Sequence, residues 1–380
     1  AKERTGNLGF VAARAAVVFV ALLALGVLPW ARWRQSFAHA ERWQRARRWC
    51  DAHPSGVIAL VAGLAMVASS YPVIFLGQSY VSPSLGAALL YPGVPSLPGM
   101  TSTAAAEVKQ ADVGAIMWQH VPYSMQQRDA LLQGELPLWN RYNSGGVALL
   151  GQGQSSFGDP LQLLPWLGDG AAWAWDLKFL LARWLLGFGV GLQVWVLTRH
   201  RGAALLLAAS APFIGLFIYR VNHPAIFSLS YAPWVLVTWS SILTATTWRQ
   251  LTWRAVGWIV ANVALLCSGT AKESTMLLVG LNSAGLLQLL FAARPWSARL
   301  QRLAAMVLAG VVFVLLTAPH WLLFLETLRQ SYTTYDQPRA YQLPPGLLAA
   351  LFDEIFHRPF QQDGGVINPS ANFLALIGLS

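Results

Sequence analysis

Apolar residues in this chain come in blocks of about twenty, separated by short basic stretches or by longer segments of mixed character. A hydrocarbon layer about 30 Å thick is crossed by about 20 apolar residues in a helix, and in lipid only a helix of this kind satisfies its own backbone within one segment. The pattern predicts spans at 9–30, 56–77, 172–198, 203–220, 224–246, 253–269, 272–292 and 303–326. A ninth is expected to begin near Asn372 and to reach Ser380 after one or two turns, as a span cut short. The first block carries Arg14 and leads into further basic residues rather than a small-residue cleavage site, so it is expected to be a spanning or partly embedded helix.

Composition agrees with the blocks. Of 380 residues 55% are apolar and only 11% charged, well below the roughly 25% of an ordinary soluble domain. The net charge of +10 would suit nucleic acid, yet the basic residues form no stripe and no aromatic-lined groove, so a nucleic-acid partner is excluded. The bilayer is the expected partner instead. Cys50 and Cys267, one in a basic loop and one in an apolar run, supply neither a disulfide framework nor a cysteine metal site.

The charges also orient the chain. Segment 31–49 holds Arg32, Arg34, Arg42, Arg45, Arg47 and Arg48 against Glu41 alone, which marks it as cytoplasmic. Alternate connections then carry Arg199, Arg201, Arg249, Arg254, Arg294, Arg299 and Arg302 to the same side and nearly every acid to the other, although Lys2 and Arg4 would lie outside. Five regions follow. They are an N-terminal two-helix membrane region with a basic cytoplasmic loop (1–77), a first extracytoplasmic loop (78–171) and a transmembrane helical core (172–326), then a second extracytoplasmic loop (327–371) and the start of a further span (372–380). Both extracytoplasmic segments exceed the usual 12–15 or so residues of a mere connection, and their Trp, Tyr, Pro and Gly content is that of ordered structure at an interface.

Inside the first of these, Pro122 opens a short in-plane helix from about Tyr123 to Gln133 that Gly134 closes, with Tyr123, Ala130 and Leu131 on one face and Gln126, Gln127 and Arg128 elsewhere. Asn143 to Gly146 form a turn, and Asp159-Pro160 has the cap-then-proline order of a second helix start.

The string Gly134-Glu135-Leu136-Pro137-Leu138-Trp139-Asn140-Arg141-Tyr142, followed by Gly145-Gly146, Gly151-Gln152-Gly153-Gln154 and Asp159-Pro160-Leu161, resembles the first large extracytoplasmic loop of YfhO-like bacterial membrane proteins. These are members of the GT-C superfamily of polytopic glycosyltransferases. Asn222-His223-Pro224, Tyr231-Ala232-Pro233-Trp234, the segment 268–275, the segment 319–331 and the return to the membrane at 368–379 match in the same order, covering about 300 residues. The chain departs from the family in having an added span at 9–30 and in placing Asp112 ten residues before Pro122, a few farther than expected.

The resemblance implies an all-α, polytopic transmembrane bundle of about eight or nine spans, of GT-C type, with two ordered extracytoplasmic loops, in the bacterial cytoplasmic (inner) membrane. It implies transfer of a sugar from a polyprenyl-phosphate donor to an extracytoplasmic acceptor, which is a cell-envelope glycan, lipid or protein. Asp112 is then the base, and its alternative role is to cap a helix starting at Val113. Glu107 is the rival base or a metal-ligand partner.

Cations stranded at outer span ends suit the donor phosphate: Lys272 beside Glu273, Arg220 with His223, and Arg329 and Arg339 in the second loop. Mutual neutralisation of Lys272 and Glu273 is the alternative there. Glu135, Trp139 and Asn140 belong to the loop string and pin it to the interface, Asp159 is a cap before a catalyst, and His120 is structural or a proton shuttle. Arg183 within a span calls for a partner such as Asp176. No cluster has His or Cys ligand spacing, while a divalent cation, Mg or Mn, held by carboxylates and water would leave little trace in sequence. The Gly151-Gln152-Gly153-Gln154 run is too short for a nucleotide phosphate loop. The competing classes are a transporter or flippase of lipid-linked precursors, which needs polar residues through the spans, and a non-catalytic membrane scaffold.

Overall fold

A computed structural model describes residues 41–81, 116–142, 145–214 and 223–331. Two compact units divide the chain, Ala1–Val57 and Ile58–Ser380. In the first, helix α1 (Glu41–Ala52) carries exposed Arg45 and Arg48, and Trp49 stacks on His53 with ring centres 5.0 Å apart. The expected span at 9–30 lies outside the described residues, as do the second extracytoplasmic loop beyond Ser331 and the return near Asn372.

The described part of the second unit is mostly helical. Helix α2 (Pro54–Ser69) stops short of the expected 56–77, and the chain restarts as the single turn α3 (Tyr71–Phe75). Pro72 explains the break, because it has no N–H to give the carbonyl of Ala68. After α4 (Val121–Leu132) comes a departure from all-helix expectation, a hairpin of β1 (Trp139–Asn140) and β2 (Val147–Ala148) with Trp139 opposite Ala148 and Asn140 opposite Val147. The short helix α5 (Leu163–Leu167) then leads to α6 (Ala172–Thr198), which coincides with the expected span.

Helix α7 (Arg201–Ser210) ends in a 3-10 turn over Ala211–Phe213, so the α-helix that enters the span expected at 203–220 is ten residues long, about 15 Å at 1.5 Å per residue. The series closes with α8 (Ala225–Leu243), α9 (Trp248–Ser268), α10 (Ala271–Leu290) and α11 (Trp296–Gln330). Four of these helices, α6, α8, α9 and α11, are long and apolar enough to cross a membrane.

Packing is governed by close approach around α6. A Cβ on Gly191 would stand 2.6 Å from Ile58 and 2.7 Å from Ala208, and one on Gly189 would stand 2.8 Å from Pro233, so small residues let α2 and α7 close on one flank of α6 and α8 on the other. Next, α8 packs on α9 and α10, and α11 packs on α9. Consecutive helices run antiparallel: Gly187 meets Ala208, while Trp239 meets Trp258. The starts of α6, α8 and α10 and the ends of α9 and α11 therefore share one end of the bundle, hereafter the loop end.

At the opposite end the arginines close helix termini. Arg302 donates to the carbonyls of Ala245 at 2.6 Å and Ile242 at 3.3 Å, Arg254 to the carbonyl of Ser241, and Arg299 to that of Leu290 at 2.7 Å. Each supplies a donor to a carbonyl near a helix C-terminus. The bundle thus has a basic end, as the charge pattern anticipated.

Midway along the bundle lies a closed polar network. Asn282 Oδ1 accepts from the indoles of Trp239 and Trp258, both at 2.9 Å, and its amide donates to Asn262 Oδ1 and the Leu278 carbonyl, both at 2.8 Å. Asn262 returns a bond to the Trp258 carbonyl at 2.8 Å. Interhelical bonds of this kind contribute about 1–2 kcal/mol in apolar surroundings. Asn282→Leu leaves two indole donors and one amide oxygen without partners, and is expected to lower the thermal unfolding midpoint in lipid nanodiscs, with Asn282→Gln losing less.

Candidate functional site

Beyond Val81, the described part of the first loop segment resumes at a π-turn, Ile116–His120, which runs directly into α4 with Pro122 in its first turn. His120, Ser124 and Gln127 fall at i, i+4 and i+7 and form one face. That face is the buried one, at 3%, 1% and 0% exposure, while Leu131 and Leu132 are 39% and 72% exposed. The expected helix exists, but its buried face is the polar one rather than the one that carries Leu131. The partner surface is polar: Gln162 donates to Ser124 Oγ at 2.6 Å and Gln127 donates to the Ser155 carbonyl at 2.6 Å.

Behind α4 stands an ion pair removed from water. Lys178 Nζ lies 2.7 Å from Asp159 Oδ2, and both side chains have no exposure. Nζ also donates to Gln162 Oε1 at 2.5 Å and sits 4.3 Å above the Phe227 ring and 5.3 Å from that of Trp175. The other carboxylate oxygen of Asp159 accepts from the Leu161 amide at 3.0 Å and from the Tyr231 hydroxyl at 2.8 Å. Asp159 is therefore the helix cap anticipated from Asp-Pro, and it is also a pin that joins the loop to α6 and α8. With three donors converging on it, it does not stand free as a base.

His120 faces this pair and is pushed down to about 3 by burial, with Lys178 and His223 adding to the penalty on its charged form. It is a neutral imidazole at physiological pH, and its Nε2 has no hydrogen-bond partner among the described residues. His223, just ahead of α8, is buried, and its Nδ1 accepts from the Ala225 amide at 3.2 Å. The resulting polar seam, between α4 and the wall formed by α6 and α8, gathers Asp159, His120 and His223 around Lys178.

The Gly151–Gly158 run clamps the loop to the bundle. The Ala271 amide donates to the Gly153 carbonyl at 2.7 Å, Ser156 Oγ donates to the Ser268 carbonyl at 3.1 Å, and the His320 imidazole meets the Phe157 carbonyl at 2.5 Å. Gln119 Nε2 donates to Gln152 Oε1 at 3.3 Å, so the clamp also reaches the π-turn.

The other anticipated residues are spread out. Asp112, Glu107, Arg220 and Arg339 lie outside the described residues. Lys272 is exposed at the start of α10, whose neighbour Glu273 accepts from Thr270 in a helix-start arrangement, and Arg329 is exposed in the last turn of α11. Glu135 pairs with Arg141 at 3.0 Å with both half-exposed, an interaction of about 0–1 kcal/mol. Asn140 is buried and accepts from the Tyr142 amide at 2.9 Å, fixing the strand end. Trp139 is 59% exposed and lies across Gly146, where φ is +116° and a Cβ would stand 2.4 Å from the indole nitrogen.

Arg183 and Asp176 meet through the segment after α3. Asp176 accepts from the Tyr80 amide at 2.8 Å and from Ser79 Oγ at 3.0 Å, while the Arg183 guanidinium lies 5.2 Å from the Tyr80 ring and donates to Ser69 at 3.4 Å. Lys178, Gln162 and Ser124 were not singled out from sequence, while Tyr231 entered only within a matched string and Gln127 only as a polar position of the short helix. Lys178 did carry a signal, as a cation within an apolar block. Among the described residues no three His, Cys, Asp or Glu side chains converge as metal ligands. In comparisons with known families, curated proteins and solved structures, no family model, relative or structural neighbour matches the chain.

Two outcomes are expected. Lys178→Met leaves a buried carboxylate without its cation and should cost about 3–5 kcal/mol, whereas Lys178→Met combined with Asp159→Asn should recover much of that loss in thermal unfolding; equal losses in single and double variants would show that the pair is not the pin. The second concerns acid. The unfolded chain takes up a proton at His120 near the ordinary value of 6.5, and the folded chain refuses it until about 3. Folding stability is then lost as pH falls from 6.5 towards 3, because only the unfolded chain takes up that proton, and His120→Asn should flatten that part of the pH–stability curve.

Proposed function

We propose that the chain is a polytopic membrane glycosyltransferase of GT-C type, with about eight or nine spans, in the bacterial inner membrane. It would move a sugar from a polyprenyl-phosphate donor to an extracytoplasmic acceptor. The single observation that carries the reading is the buried, chemically varied seam at the loop end, opposite the basic end that the positive-inside rule assigns to the cytoplasm. A donor with a greasy tail and a polar head needs such a meeting of lipid-length helices and buried polar groups. The resemblance of the Gly134–Tyr142 string and of the ordered motifs after it supplies the reaction class.

In this reading Asp112, four positions ahead of the π-turn, takes the proton of the acceptor hydroxyl, with Glu107 as the alternative. The freed oxygen forms a bond to the anomeric carbon, and the bond from that carbon to the phosphate oxygen breaks. The electron pair leaves with polyprenyl phosphate, and configuration inverts. Lys272, Arg220, His223 and Arg329 are the candidates to hold the departing phosphate, a task for cations that act as charge develops. A divalent ion, Mg or Mn, could share it.

The test is consumption of radiolabelled polyprenyl-phosphate sugar by the purified protein in nanodiscs, with Mg, with Mn and with chelator. Wild type is expected to consume donor, and Asp112→Asn to reduce transfer by at least a hundredfold with expression and unfolding midpoint unchanged. Undiminished transfer by that variant would remove Asp112 from the mechanism, and no consumption across a panel of donor sugars would remove the function.

A further inference from the structure

Three hydrogen-bonding groups along the seam are buried and left open. His120 Nε2, Gln127 Oε1 and Trp175 Nε1 have no hydrogen-bond partner among the described residues, and their residues are 3%, 0% and 1% exposed. They belong to one cluster. His120 and Gln127 share a face with Ser124, which takes a bond from Gln162, which in turn accepts from Lys178. Trp175 lies with its ring centre 5.3 Å from Lys178 Nζ. Most buried polar groups in proteins are partnered, so three open ones on residues linked in this way, two of them beside Lys178, mark a place where a ligand belongs. The π-turn that delivers His120 is itself a local irregularity of the kind found at functional sites.

The chemistry of the open groups selects the ligand. Gln127 has its amide nitrogen committed to the Ser155 carbonyl, so the free atom is an acceptor. Indole Nε1 is a donor only, and a neutral imidazole nitrogen serves in either sense. Lys178 is matched by Asp159 at 2.7 Å, which leaves no surplus positive charge from that pair for a phosphate, and the Gln127 oxygen repels an anion. Hydroxyl groups, which both donate and accept, satisfy all three.

We infer that the seam binds the hydroxyl groups of a neutral sugar ring through His120 Nε2, Gln127 Oε1 and Trp175 Nε1. This rests on the reading of the chain as acting on a lipid-linked sugar and says which part of that donor enters: the sugar, with the phosphate outside.

Equilibrium binding of tritiated methyl glycosides (glucoside, galactoside, mannoside and N-acetylglucosaminide) to the protein in nanodiscs tests this without turnover. At least one glycoside should bind saturably, and methyl phosphate should not compete. His120→Phe and Gln127→Leu should each weaken binding at least tenfold. The ligand-free unfolding midpoint of His120→Phe should not fall, since an open polar group has been replaced by an apolar one, whereas a purely structural imidazole would lower it.

The inference is overturned by absence of saturable binding, by competition from methyl phosphate, by variants that bind as wild type does, or by a lowered midpoint in His120→Phe. Donor consumption measured on the same preparations separates the two claims. Transfer without this binding sinks the seam, and binding without transfer sinks the enzyme.

Discussion

Removing an ammonium and a carboxylate from water is costly, and the penalty is offset only when the two lie close and their remaining valences are filled. Lys178 and Asp159 meet both conditions, at 2.7 Å and with Gln162, Tyr231, the Leu161 amide and the Phe227 face completing the shell. Because the partners come from α6, α8 and the segment before α5, this one contact fixes where the loop sits on the bundle. The burial of Gln162, and through it the inward turn of Ser124 and the face of α4, depends on that placement. A loop tied only by Glu135 and Arg141 would have no such constraint, since that pair is half in water.

The buried polar groups fall into two kinds that differ in position. In the middle of the bundle Asn262, Asn282, Trp239 and Trp258 satisfy one another, and at the basic end Arg302 and Arg254 close the terminus of α8. These networks join helices. At the loop end the seam has donors and acceptors to spare. Gln288 Oε1, within α10, is open as well, so such groups are not confined to that end.

Much of the helical frame was legible because lipid-length apolar blocks leave few alternatives: α6 matches its expected bounds, and α8 to α11 begin and end within several residues of theirs. The misses have local causes. Pro72 splits the second span, and the 3-10 turn at Ala211–Phe213 interrupts the fourth. The face of α4 was assigned by hydropathy, which fails when the surface it meets is polar. Asp159 was weighed as a cap against a catalyst, although one oxygen caps while the other holds a lysine 19 positions later in the chain, a contact that no local pattern encodes. Lys178 was hidden because Asp176 and Arg183 suggested a pair of their own, whereas both serve the segment around Tyr80.

Charge neutrality gives the loop end a division of labour. Lys178 and Asp159 cancel, and His120 is held neutral by burial, so the seam suits uncharged groups. Lys272 and Arg329 keep their charges exposed, on helices whose termini border the clamp at Gly151–Gly158. On the function proposed above, a head group that carries both hydroxyls and a phosphate would be matched in two places by two kinds of chemistry, hydroxyls inward and phosphate at the wet rim. Reversing that orientation would put an anion against the Gln127 oxygen, which is unfavourable. On that proposal, the polarity of the site constrains how a lipid-linked sugar would lie even before the reacting atoms are considered.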